Sequence, residues 1–394
     1  VAVLSFAGAC LGALGARILP TEILQTGLPF LLIAVALFFA FKPGLSDVDA
    51  ERRISPAVFA FTLVLADNER IIGVRDPNGF RPLCLGRLDG GWVLASESPA
   101  LDVIGAHMVR ELDPGEVMVI DRTGCRSMRP FSDDVVDPKL CLFEFVYFAR
   151  PDAVLYGKSV HHARVRMGEM LAAQAPVEAD LVMGVPESGM PAAEGYARAS
   201  GIPYGQGLVK NRYIGRTFIA PTQAMRAAAV RMKLNPLRDS TEGQRLVVVD
   251  DSIVRGTTTR AMVRMLRAAG AIEVHMRVSS PPYRWPCFYG MDTGDRSELL
   301  AANLTVDEIR EYLEVDSLTY LTLDRLVEAT GAVGAGFCDA CLTGTYPIDI
   351  PVNLSKGVLE VGDGPAAERT VTVGGNAPEA ELPTDAANRL FGRG

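Results

Sequence analysis

Val247-Val248-Val249-Asp250-Asp251-Ser252-Ile253-Val254-Arg255-Gly256-Thr257-Thr258 is the stretch on which the fold turns. The apolar run from Leu246 to Val249 has the length and β-branched content of a buried strand. It delivers two adjacent carboxylates at its C-terminal end. A short loop through Ser252, Ile253, Val254, Arg255 and Gly256 follows, and Thr257 and Thr258 open a helix. Gly256 permits a tight turn whose N–H groups point inward. The helix start offers free amides and a positive dipole end to an anion. Hydroxyls of Ser252, Thr257 and Thr258 add hydrogen bonds at the same place. Asp250 and Asp251 cannot bind phosphate; they suit ribose hydroxyls or a magnesium ion carried by a diphosphate. A plain helix cap needs one such polar residue, whereas five and a glycine gather here.

On either side the chain alternates. Residues 161–175 read as a helix, 181–185 as a strand and 191–200 as a helix; beyond the loop, 257–269 read as a helix and 272–279 as a strand. Strands separated by helices of this length indicate βαβ units and a parallel sheet, hence an α/β fold. Gly184-Val185-Pro186-Glu187-Ser188-Gly189 lies between such a strand and helix, at the sheet edge where α/β proteins bind ligands. Glu187 and Ser188 can hold a diphosphate there, with Ser188 on the metal; an ordinary βα turn is the plain alternative. Lys210-Asn211-Arg212-Tyr213-Ile214-Gly215-Arg216 packs three cations around a glycine. It reads as a mobile basic lid that closes over a polyanion and excludes water, against the alternative of a solvated loop. A phosphate beside a vicinal diol and a metal-bound diphosphate describes 5-phosphoribosyl 1-diphosphate.

The rest of the chain is different in kind. Residues 59–130 show short strand-like runs with turn signals such as Asp76-Pro77-Asn78-Gly79. Residues 1–19 and 27–41 are apolar runs without a polar stripe, which suggests a membrane hairpin over 1–45, with a buried helix pair as the alternative. From about Ser355 the composition is that of a disordered tail. A net charge of -8 over 394 residues argues against non-specific nucleic-acid binding. Seven cysteines are too few for a disulfide scaffold. The Cys338-x-x-Cys341 pair points instead to metal or redox chemistry.

Taken together, RDPNGFRPL (75–83), LASESPALD (94–102), FEFVYFARPD (143–152), GVPES (184–188), KNRYIGRTFI (210–219), VVVDDSIVRGTT (247–258), SSPPYRWPCFYG (279–290) and CDACLTGTYP (338–347) resemble the glutamine phosphoribosyl-diphosphate amidotransferases over about residues 59–351. The resemblance implies a type I phosphoribosyltransferase sheet with helices on both faces over 141–351. It implies that ammonia displaces diphosphate at C1 of the ribose, giving phosphoribosylamine in the first step of purine synthesis. Ser188, Asp250 and Asp251 match the family's magnesium positions, and Lys210, Arg212, Tyr213 and Arg216 its lid. Cys141, Cys287, Cys338 and Cys341 match the ligands of a [4Fe–4S] cluster, although four thiolates suit zinc as well. Purine nucleotides as feedback ligands and a homo-oligomer are implied too.

The departure lies in front. The family's glutaminase half, an N-terminal-nucleophile-hydrolase (αββα) fold, uses a cysteine nucleophile with an Asn-Gly oxyanion element, and neither stands before residue 59 here. Residues 59–140 are therefore expected to be an incomplete remnant of that fold, with unpaired edges, and activity to depend on ammonia alone. Residues 1–58, especially LLIAVALFFAFKPGLSDVDAERRISP (31–56), resemble part of a sulfite-exporter-type permease. A genuine fusion would place the enzyme on a membrane; otherwise it is expected in the cytoplasm. The other readings are a non-catalytic phosphoribosyl-diphosphate-binding protein, an inactive chimeric fragment, and a transporter carrying a soluble sensor.

Overall fold

The computed structural model describes residues 62–350 apart from 67–68, 212, 214–232, 292, 294–295, 333, 335 and 349. The expected apolar hairpin and the tail after 352 lie outside the described residues. Among those described, no helix is long and apolar enough to cross a membrane.

The N-terminal part is a sandwich of two antiparallel sheets. β1 (Leu63–Ala66) and β2 (Ile71–Val74) belong to one; β3 (Cys84–Leu88) and β4 (Gly91–Ala95) belong to the other. Helix α1 (Ser98–Val103) follows, then β5 (His107–Glu111), β6 (Val117–Asp121) and β7 (Gly124–Met128). The sheet orders are β1-β2-β6-β7 and β4-β3-β5. Leu85, Met118 and Ile120 with Trp92 and Leu94 fill the space between the sheets, while Leu101 of α1 covers the far face of β3. The alternation that hydropathy reads as strands survives in β6, whose Met118 and Ile120 face inward. β3 and β7 carry Gly86-Arg87 and Cys125-Arg126-Ser127 and have no such pattern; pairing across tight turns makes them strands. At the edge, Leu63, Val64 and Leu65 of β1 are about half exposed.

The larger part is built on four parallel strands. β8 (Leu140–Cys141) leads into a π-helical turn (Glu144–Phe148) and then α2 (Val160–Gln174). β9 (Leu181–Gly184), α3 (Met190–Ser200), β10 (Arg245–Asp250), α4 (Thr257–Ala268) and β11 (Glu273–Val278) follow. α5 (Val306–Leu313), β12 (Ser317–Tyr320), α6 (Leu323–Thr330) and β13 (Phe337–Cys338) complete the fold. The sheet order is β9-β10-β11-β12, all parallel. In β10, Val247 and Val249 point into a core shared with α2, α3 and α6, while Leu246 and Val248 point into one shared with α4 and α5. A strand buried on both faces reads as a continuous apolar run for this reason.

Two glycines set how closely α2 and α3 pack. A Cβ on Gly168 would stand 1.8 Å from the Ala192 carbonyl oxygen, and one on Gly195 would stand 1.9 Å from that of Val165. Neither obstacle is a side-chain end that can swing away. Gly195→Ala is therefore expected to destabilise the chain by about 2–3 kcal/mol. Thermal denaturation of the two proteins side by side checks this; an unchanged midpoint would mean the helices slide apart at no cost.

Candidate active site

The site grows from the C-terminal ends of β9 and β10. Val185 N–H donates to Val249 O at 2.8 Å, so the Gly184–Gly189 loop continues the pairing of the two strands. That brings Ser188 to Asp251, whose carboxylate accepts hydrogen bonds from the Ser188 and Ser252 hydroxyls. Asp250 accepts the Asp251 N–H at 2.9 Å. Burial and, second, the Asp251 charge push the Asp250 carboxyl well above the usual carboxylate range. Asp251 is raised by burial too, with the two serine hydroxyls and the Arg164 guanidinium pulling it back. Two adjacent buried carboxylates held in this way suit a cation. A magnesium ion keeps waters and substrate phosphates in its shell and needs one or two protein carboxylates, and Ser188, Asp250 and Asp251 fit that demand.

Beyond the carboxylates the chain turns through Gly256 at φ +70° into α4. The left-handed conformation calls for glycine, and a Cβ there would also press on the end of Leu300, 2.5 Å away. Ile253 is buried and anchors the loop, while Thr257 and Thr258 at the helix start are exposed. The free amides of a 12-residue helix and two hydroxyls thus face outward beside the carboxylates. Arg255 turns away from this cradle and pairs with Glu298.

Lys210 reaches Glu187 of the opposite loop at 3.4 Å. The two flank a cavity of about 300 Å³ also lined by Gly184, Pro186, Tyr204 and Gln206. Residues 208–210 pair antiparallel with 234–236, so the ends of the basic segment between them are held side by side. Tyr213 is almost fully exposed; Arg212 and Arg216 lie outside the described residues.

A second site gathers the four cysteines. β13 pairs with β8 so that Cys338 lies beside Cys141. Cys341 follows one turn later, and Cys287 accepts the Tyr289 N–H at 3.4 Å. The thiols act on one another electrostatically, and burial pushes Cys338 up to about 12 and raises Cys141 and Cys341 as well. Among the described residues, however, no three His, Cys, Asp or Glu side chains stand ready to hold a single ion. The expected cysteine centre is thus a shared neighbourhood and not a preformed ion site.

With both sites described, the comparisons with known proteins are direct. Residues 162–280 match the phosphoribosyl transferase domain family. The chain is 51% identical over 331 residues to the amidophosphoribosyltransferase of Mycobacterium tuberculosis, covering 82% of this chain and 62% of that protein. It is 55% identical over 306 residues to that of Synechocystis, covering 76% and 61%. The solved glutamine phosphoribosylpyrophosphate amidotransferase of Bacillus subtilis, complexed with ADP and GMP, superposes with a TM-score of 0.69 at 47% identity, covering 74% of this chain and 65% of that one. The chain belongs to the amidophosphoribosyltransferase family. It spans about three fifths of the length of the curated relatives it matches.

Two residues that motif reading passed over matter in this amidophosphoribosyltransferase fold. Arg164, on the buried face of α2, donates to Phe145 O and Ala149 O at 2.8 Å each and so holds the π-helical turn, while its charge acts on Asp251. Arg81, from RDPNGFRPL, pairs with Glu144 of the same turn. An arginine at a helix position where hydropathy demands an apolar residue was the only sequence signal for Arg164. Arg81 lay within a stretch matched only as a whole, with no role of its own.

Proposed function

We propose that this chain transfers an amino group to phosphoribosyl diphosphate: ammonia attacks C1 of the ribose and diphosphate leaves, giving 5-phosphoribosylamine, the opening step of purine synthesis. The observation that carries this is the meeting of Ser188, Asp250 and Asp251 beside the open N-terminus of α4. The 5-phosphate fits the loop from Ser252 to Thr258, the ribose diol fits the carboxylates, and the diphosphate fits Glu187, Ser188 and the lid. Magnesium bound to Ser188, Asp250 and Asp251 would neutralise the leaving diphosphate. Lys210, Arg212, Tyr213 and Arg216 would close on it and exclude water. Ammonia carries its own lone pair, so no protein base is required.

Cys141, Cys287, Cys338 and Cys341 are read as holding a [4Fe–4S] cluster. Four thiolates suit a zinc ion as well; the family resemblance favours the cluster. The cluster would bridge β8, β13 and the 279–290 loop, a structural task. The B. subtilis relative was solved with ADP and GMP, which supports purine nucleotides as feedback ligands here; a homo-oligomer is proposed on the family resemblance. Residues 59–140 are read as part of a glutaminase-type sandwich.

Turnover of phosphoribosyl diphosphate by the purified chain, with ammonium or glutamine as donor, tests the reading. Activity with ammonium and none with glutamine is the expected result. Glutamate release from glutamine would refute the loss of glutaminase. Magnesium-dependent binding without turnover would leave a binding protein.

A further inference from the structure

Two buried hydroxyls at the C-terminal edge of the parallel sheet have no hydrogen-bond partner among the described residues. They are Ser280 Oγ, on a residue with no exposed surface, and Tyr320 Oη, on one that is 7% exposed. A hydroxyl buried without a partner weakens the fold, so each calls for a use beyond stability. Their place in the sheet points to that use. The register sets Asp250, Val278 and Tyr320 level with one another on β10, β11 and β12. Val278 and Tyr320 share the core under α4 and α5 with Leu246 and Val248, and the alternation along β10 puts Asp250 on that same face. The Ser279 N–H donates to Asp250 O at 2.9 Å and carries the pairing past the end of β11. Ser280 therefore stands two residues beyond Val278, beside the Asp250 end of β10. Along the sheet edge the order is the 184–189 loop on β9, the carboxylates on β10, and then the two hydroxyls at β11 and β12.

We propose that Ser280 and Tyr320 receive the attacking ammonia. The proposal rests on the functional reading above, in which the diphosphate lies on the β9 loop and the ribose on the carboxylates. A nucleophile that displaces diphosphate at C1 arrives on the face opposite the leaving group. With the leaving group on the β9 side, that face looks toward β11 and β12, where the hydroxyls are. Each hydroxyl oxygen accepts an N–H, which leaves the nitrogen lone pair free to point at C1. A carboxylate in their place would favour ammonium, which has no lone pair to give. In the reaction the lone pair forms the N–C1 bond, the C1–O electron pair departs with diphosphate, and the proton that the nitrogen sheds goes to the diphosphate. Ammonia is no larger than a water molecule, so two acceptors suffice to orient it.

The test compares the full chain with its Ser280→Ala and Tyr320→Phe variants, each of which lacks one oxygen atom. Rates are measured over a range of ammonium chloride at constant pH and ionic strength, and separately over a range of phosphoribosyl diphosphate. In each variant kcat/KM for ammonia is expected to fall roughly three- to tenfold, the loss of one neutral hydrogen bond. KM for phosphoribosyl diphosphate should stay at the parent value. Thermal midpoints should equal the parent's or exceed it, because no hydrogen bond within the chain is lost. A purely structural role gives a different pattern, with lower midpoints and both substrates affected together. That pattern, or a parent-like dependence on ammonia in either variant, overturns the proposal. If one variant does not fold, the other decides on the same criteria. A parent chain that fails to turn over phosphoribosyl diphosphate with ammonium is a separate result, which removes the functional reading and this inference with it.

Discussion

Asp250→Asn is expected to lower ammonia-dependent turnover by about 10³-fold while making the ligand-free chain harder to unfold. The two effects share one cause. Asp250 and Asp251 are neighbours at the end of a buried strand, and each raises the cost of ionising the other. Without a cation the second negative charge is a burden on the folded state. With magnesium and the substrate bound, the same charge is what holds the metal and the ribose. The folded carboxyl is raised above its ordinary 3.8, so its contribution to stability is fully present below that pH and is lost as pH rises through the folded value. Asparagine never ionises. The melting temperature of the variant should therefore gain on the parent as pH climbs above about 4, and magnesium with phosphoribosyl diphosphate should no longer stabilise it. A variant that melts earlier than the parent at pH 7, or that turns over normally, would show that Asp250 is a structural cap and nothing more.

Arg164→Met is expected to do the reverse damage, costing about 3–5 kcal/mol of stability. The Arg164 side chain is buried, and the carbonyls of Phe145 and Ala149 depend on it; that of Glu144 receives a third, longer contact at 3.4 Å. Methionine fills the volume and leaves the buried Phe145 and Ala149 oxygens without the donor they have here, while Glu144 O keeps the Ala149 N–H. The π-helical turn then loses the clamp that joins it to α2, and Asp251 loses a guanidinium whose charge acts on it. Arg164→Lys keeps the charge but cannot span several carbonyls, so it should fall between the two. Urea unfolding of the three proteins gives the ranking. Equal midpoints for parent and Arg164→Met would mean the turn closes its own hydrogen bonds.

Some of this was legible in the chain before any coordinates. The run from Leu246 to Thr258 had to be a buried strand, a tight turn and a helix start, because no other arrangement uses that apolar run, that glycine and those hydroxyls together. The observed bounds of β10 and α4 agree with it to within a residue or so. The strands of the sandwich were less visible. β7 and most of β5 point polar or half-exposed residues outward, so their identity comes from cross-strand hydrogen bonds and not from a hydropathy period. Arg255 shows what the loop's sequence does not carry: a glutamate 43 positions away pairs with its guanidinium.

Local order along the chain therefore determined the phosphate loop and the pairing of two carboxylates, each written within a dozen consecutive residues, and the alternation of strands and helices pointed to the parallel sheet. Tertiary structure decided the rest. It brought Ser188 to Asp251 across 63 positions, Cys338 to Cys141 across 197, and Arg81 to Glu144 across 63. Such encounters depend on strand order and on which core each helix covers, and a charge buried by distant elements takes its properties from them.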